Sequence, residues 1–173
     1  MKSYHYQVTT DLQDTQCVQL IRDNEVVGQM QRVYSNALKK FIDSTLDKKY
    51  FVRIESKVTG FEDAYCRKIQ RKGKVYYEAV EQGKPIYRIA YIGWKSLIPD
   101  LAISNKEVQM ILSMEREDWS VYRYEEKEVA RWRATLDEEK QLFSVELQIE
   151  DDCPFDNPAL LVSISHASLF IGA

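Results

Sequence analysis

Five cations fall within eight positions, Arg67, Lys68, Arg71, Lys72 and Lys74, in a chain whose net charge is −3. Between them the Lys72-Gly73 pair divides two alternating runs in CRKIQRKGKVYYEAV, where glycine takes the positive φ that a two-residue hairpin turn demands. Alternate side chains of a strand share a face, so Arg67 and Arg71 are expected together, with Lys72 and Lys74 projecting at the turn. Such a cluster suits an anionic lipid or a phosphorylated small molecule. Each cation near an anionic membrane surface contributes on the order of 1 kcal/mol, and salt weakens the attraction. The same residues also suit a hairpin that lysines keep soluble and guard against edge pairing. A second basic group stands at Lys39, Lys40, Lys48 and Lys49.

Other chemistry-bearing residues point to structure. His166 follows Ser165, but adjacent side chains on a helix diverge by about 100° and form no Ser–His pair, so His166 reads as a packed core histidine. His5 reads as a surface or edge residue among tyrosines. Asp151, Asp152 and Asp156 lack the glycine and regular oxygen spacing of a calcium loop and read as capping and solvated groups. Glu115, Glu117 and Asp118 are candidate acids only in composition, since nothing pairs them with a base or a metal. The three cysteines, Cys17, Cys66 and Cys153, form no close pair, so reduced thiols are expected rather than a disulfide framework or a zinc site. No phosphate loop or nucleophile elbow appears. The expectation is a protein without catalytic residues, metal or cofactor.

At 173 residues, with 45% hydrophobic and 29% charged residues, the chain suits one globular domain over residues 1–173. The acidic balance argues against a general nucleic-acid binder. The start, MKSYHYQVTTDLQD, lacks an apolar run before a small-residue cleavage site, which makes a cytoplasmic location the default expectation. No segment has the roughly eighteen consecutive apolar residues of a spanning helix.

The elements that must position these residues are mostly strands. Residues 4–149 give short alternating runs broken by polar or glycine-containing turns, ten to twelve of them at the spacing of sandwiches and barrels. Residues 34–49 are the exception. Ala37, Leu38, Phe41, Ile42 and Leu46 fit a helical stripe, and a strand with an irregular loop competes with it. Residues 157–171 then read as a helix that is apolar on every side. Asp156 or Asn157 caps it, Pro158 suits its first turn, and Gly172 can close it. Ser163, Ser165 and Ser168 are small enough to bond back to its own carbonyls.

An all-apolar helix of about 21 Å is shorter than the ~30 Å hydrocarbon core of a bilayer, so protein is its expected enclosure. Two sheets stacked ~10 Å apart leave no room for it, whereas a barrel near twelve strands needs a filler. The predicted fold is therefore mainly β, a closed antiparallel barrel of about twelve strands around a buried hydrophobic C-terminal helix. Val52, Ile54, Ile89, Tyr91, Ile111, Val145 and Leu147 are predicted to face Leu160, Leu161, Ile164 and Phe170. A calycin-like barrel that holds an apolar ligand, with the helix packed outside, is the alternative.

DNPALLVSISHASLF over 156–170, together with the strand units EVVGQMQRV and KPIYRIAYI, resembles the tubby C-terminal domain and its LURP-one-related and phospholipid-scramblase-like relatives. The resemblance spans most of the chain. It implies a barrel closed around a central helix. It further implies a non-enzymatic module, since tubby domains bind phosphoinositide headgroups through basic side chains. It matches none of those side chains to a position here. A protein partner is the other expectation.

Overall fold

The structure is a computed structural model; it describes residues 1–11, 13–46, 51–92, 98–115 and 118–169. Among them are β1 (Lys2–Thr9), β2 (Val18–Arg22), β3 (Glu25–Val33), α1 (Ala37–Thr45), β4 (Arg53–Val58), β5 (Ala64–Arg71) and β6 (Lys74–Glu81). They continue with β7 (Tyr87–Ile92), β8 (Asp100–Ser104), β9 (Gln109–Ser113), β10 (Ser120–Tyr124), β11 (Lys127–Asp137), β12 (Leu142–Ile149) and α2 (Pro158–Ser168). Every strand pairs antiparallel with its neighbours in sequence, and β1 pairs with β12 from Lys2↔Ile149 to Thr9↔Leu142. The sheet is thus a closed barrel without a free edge.

Alternation builds the core. In β1, Tyr4, Tyr6 and Val8 are buried while His5 and Gln7 are exposed. The inward set continues around the wall through Leu20, Met30, Ile54, Ile89, Leu147 and their equivalents. All eleven residues of α2 are buried, as the central helix of the barrel. It leans chiefly on β4, β5 and β6. Each large aliphatic side chain that it buries, such as Leu160 or Ile164, stabilises the fold by about 1.5–3 kcal/mol.

Several details settle or correct the sequence-based expectations. Residues 37–45 are helical, which settles the helix-or-strand choice. Asn157, not Asp156, caps α2: its side-chain oxygen accepts the Ala159 N–H at 2.9 Å, and its amide donates to the Glu62 carbonyl at 2.8 Å. Among the described residues Ser168 alone of the three serines bonds back to the helix, donating to the Ser165 carbonyl at 2.7 Å. Ser163 donates to the Ala64 carbonyl at 3.4 Å and Ser165 pairs with the Tyr122 hydroxyl at 2.6 Å, because the wall brings polar partners within reach. Ile111 faces outward. In the run Met110-Ile111-Leu112 the pairs Ile103↔Met110 and Leu101↔Leu112 set the parity, and only one of two adjacent residues can point inward. Tyr91 is half-buried at the edge of the core. The enclosed helix fills the interior, which overturns the calycin-like alternative of an external helix around an open cavity. Phe170, Ile171 and Gly172 lie outside the described residues.

The topology sorts the connections. In a barrel of consecutive antiparallel strands, every second connection emerges at the same end. The β1–β2 loop, the β3–β4 segment with α1, and the β5–β6 turn therefore share one end. The β4–β5 connection, which holds Glu62 and receives the start of α2, lies at the other. Gly28 in β3 sits so close to β4 that a Cβ would stand 2.2 Å from the Lys57 carbonyl oxygen.

Two substitutions test this packing. Gly28→Ala should destabilise the protein by about 1–3 kcal/mol, seen as a lower urea midpoint with an unchanged slope. Ser163→Asp would leave a buried charge against the Ala64 carbonyl, and the variant should lose several kcal/mol or fail to fold. A near-wild-type midpoint for Ser163→Asp would mean that the helix is not enclosed.

Candidate functional site

Lys39 of the second basic group meets cations of the hairpin group at the barrel end that carries α1 and the β5–β6 turn. Two adjoining cavities there, of about 400 Å³ and 210 Å³, share Phe51, Lys68 and Ile69 in their linings. The first adds Gln70 and Arg71, and the second adds Lys39, Arg53 and Arg67. Among the described residues five cations thus line the cleft, and no carboxylate does.

The strands explain this convergence. Along β5, Ala64 and Cys66 point into the barrel, so Lys68 continues the inward parity at its mouth while Arg67, Ile69 and Arg71 take the outward one. Arg67 and Arg71 share a face, as the spacing predicts. Lys72 and Gly73 form the turn with φ of 49° and 74°, and the register sets Arg71 opposite Lys74 on β6. Lys72 is exposed at the apex. Lys48 and Lys49 lie outside the described residues.

Like charges also face each other across β4 and β5, where Arg53 is registered with Arg67. Such a pair is unfavourable by itself. Carboxylates offset it: Arg53 pairs with Glu55, and Arg67 donates to Glu78 at 3.2 Å. Their guanidinium carbons stand 4.8 Å and 5.8 Å from the Tyr65 ring centroid, a cation–π arrangement. The Arg67 Nε–H remains without a hydrogen-bond partner among the described residues.

Helix α1 forms the far wall. Asn36 caps it by accepting the Lys39 N–H at 2.9 Å, and buried Asp43 accepts the Phe51 N–H, also at 2.9 Å. The Asp43 bond ties the polar side of the helix to the chain that enters β4. Lys39 reaches the cleft, with its Nζ 5.5 Å from the Phe51 ring centroid.

Beneath this end lies a polar network that sequence reasoning missed in part. Arg32 on β3 is 1% exposed; its Nε donates to His166 Nε2 at 3.0 Å, and its other nitrogens donate to the Thr9 and Asp11 carbonyls. Arginine is only a donor, so His166 Nε2 must accept and its proton sits on Nδ1, which bonds the Tyr6 hydroxyl at 3.2 Å. Burial, helped by the Arg32 charge, holds His166 well below the usual histidine range. Burial raises Tyr6 against the opposing pull of Arg32, and it lowers Arg32 itself. His166 is thus the core histidine expected, and Ser165 is engaged elsewhere. The signal for Arg32 was its position two residues after Met30, a cation on the core parity.

The remaining candidates have local duties. Asp152 pairs with Lys127, and Asp156 lies 3.6 Å from Lys84. Cys66 and Cys153 are buried free thiols that burial pushes up, and Cys17 is exposed. Asp118 accepts the Trp119 N–H within its own turn, Glu115 is exposed, and Glu117 lies outside the described residues. His5 is exposed beside Ser3. No group of three potential metal ligands and no helix long and apolar enough to cross a membrane occurs among the described residues.

Residues 4–171 match the family described as the Tubby C-terminal like domain. No curated protein and no solved structure matches the chain.

The buried histidine fixes a pH dependence. The folded state leaves His166 neutral, whereas the unfolded chain takes up a proton there below its ordinary value near 6.5. Unfolding therefore binds a proton as pH falls, and stability drops by up to about 1.4 kcal/mol per pH unit below roughly 6.5. Urea midpoints from about pH 7.5 to 5 should show this slope, and His166→Gln should flatten it.

Proposed function

The chain belongs to the Tubby C-terminal like family, and from that premise we propose that it is a non-enzymatic binding module for an anionic group. The ligand is a phosphorylated headgroup or small molecule, held in the cleft between α1 and the β5–β6 hairpin. The observation that carries this is the convergence of Lys39, Arg53, Arg67, Lys68 and Arg71 around one cleft in a chain of net charge −3. Phosphate offers several strong acceptor oxygens, and guanidinium groups match them with paired donors. Arg67 carries a donor without a partner among the described residues. Phe51 and Ile69 supply an apolar floor, as ligand sites generally do. Lys72, exposed at the neighbouring turn, adds to the attraction at longer range.

Inositol hexakisphosphate, titrated calorimetrically, is the soluble probe. The protein should bind it at low ionic strength and more weakly as salt rises. The double reversal Lys68→Glu/Arg71→Glu should reduce affinity at least roughly tenfold while leaving the melting temperature near that of the wild type. Unchanged affinity in that variant, or no binding at low salt, would remove the assignment.

A further inference from the structure

Helix α1 faces the wrong way for an ordinary surface helix. Its polar side, through Asp43 and Lys39, meets the barrel and the cleft. Its apolar side faces solvent: Leu38 is 66% exposed and Phe41, three residues on, is 64% exposed. Leu46, just past the helix, is 57% exposed, and Phe51, which lines both cavities, is 38% exposed. Among the other exposed apolar residues, Val75 stands on β6 opposite Gln70 beside the hairpin, whereas Val26 lies at the opposite end of the barrel. A helix that points leucine and phenylalanine outward from a wall of cations needs a second apolar phase beside a negative surface.

We infer that α1 is an interfacial membrane helix, which seats Leu38 and Phe41 among the acyl chains of an anionic bilayer while the neighbouring cleft takes a headgroup. Charge complementarity selects this occupant. The exposed apolar pair is flanked in sequence by Lys39 and Lys40 and borders the cations of the cleft. Lysines so placed can lie along the surface with their ammonium groups among the phosphates. The bond from the Phe51 N–H to buried Asp43 holds the helix in this attitude before any membrane is met, so no refolding has to accompany attachment. The inference rests on the anion-binding cleft for headgroup recognition, but the apolar contact is separable from it by experiment.

The full chain is mixed with phosphatidylcholine vesicles that contain or lack phosphatidylserine and a phosphoinositide, and the bound fraction is read by co-sedimentation. Attachment should need anionic lipid and weaken with salt. Leu38→Ser/Phe41→Ser changes only exposed positions, so its fold should persist. It should lose vesicle affinity by roughly tenfold or more, while its affinity for inositol hexakisphosphate stays within about twofold of the wild type. Leu38→Trp should gain fluorescence quenching by lipids brominated on their acyl chains, beyond that of the wild-type protein.

Vesicle binding that is indifferent to Leu38→Ser/Phe41→Ser overturns the inference, as does a Leu38→Trp that is not quenched. Binding of the soluble probe without vesicle binding also overturns it and leaves the cleft assignment standing. Vesicle attachment that survives reversal of Lys68 and Arg71 yet needs Leu38 and Phe41 supports α1 and removes the cleft. Dimers that the same serine substitutions dissolve, with no attachment to vesicles, overturn the inference and give the face to a second copy.

Discussion

A closed barrel of this width has an interior that its own wall cannot fill, and the rest of the structure follows from how that space is occupied. Closure satisfies every strand edge, but the inward side chains of β4, β5 and β6 then need an opposing surface. Helix α2 is that surface, and it can serve only because it presents no polar face. The helix comes last in the sequence, and closure also waits for β12, the partner of β1. Both completing steps therefore join distant parts of the chain, which points to a fold governed by long-range contacts and slow to form.

Apolar filling alone would leave the helix free to slide or rotate. The polar atoms of its surface remove that freedom. Asn157 is tied to Glu62 at one end, Ser163 and Ser165 are tied to the wall along its length, and His166 is held between Tyr6 and Arg32 toward the other end. Each bond satisfies a group whose burial would otherwise be unfavourable, and together they allow one position of the helix. Arg32 extends the effect beyond the core. Its guanidinium also fastens the carbonyls of Thr9 and Asp11, so the plug and the loop after β1 are ordered by one side chain.

The sequence made the architecture legible because its strongest signals were global ones. Alternating runs over residues 4–149 can belong only to a sheet of many strands, and the apolar run after Pro158 can belong only to an enclosed helix. Signals that depended on a neighbour were harder to read. Ile111 lies in a run of three apolar residues, where periodicity carries no phase until the pairing with β8 supplies it. The partners of Ser163 and Ser165 belong to strands far away in sequence. In the candidate site, the hairpin cations were visible as a local cluster. Their meeting with Lys39 was not, because it arises from the alternation of barrel ends and not from any spacing in the chain. Arg32 was a core-parity cation that should have drawn notice, since such a residue deep in the wall needs several acceptors close by.

The inverted helix α1 shows how the same rules that build the core can leave a surface unfinished. Its apolar spacing fitted a helical stripe, and a helix formed. Its attitude goes with a local bond, the acceptance of the Phe51 N–H by buried Asp43, and not with burial of its apolar side. The β3–β4 crossing at this end of the wall needs an acceptor for a backbone donor, and Asp43 supplies it only if the polar side turns inward. A barrel already filled by α2 has no use for Leu38 and Phe41 in its interior. The filled core and the anchored crossing together force an apolar face outward at the end where the cations gather, so the features that make this end suited to an anionic surface are consequences of how the barrel was closed.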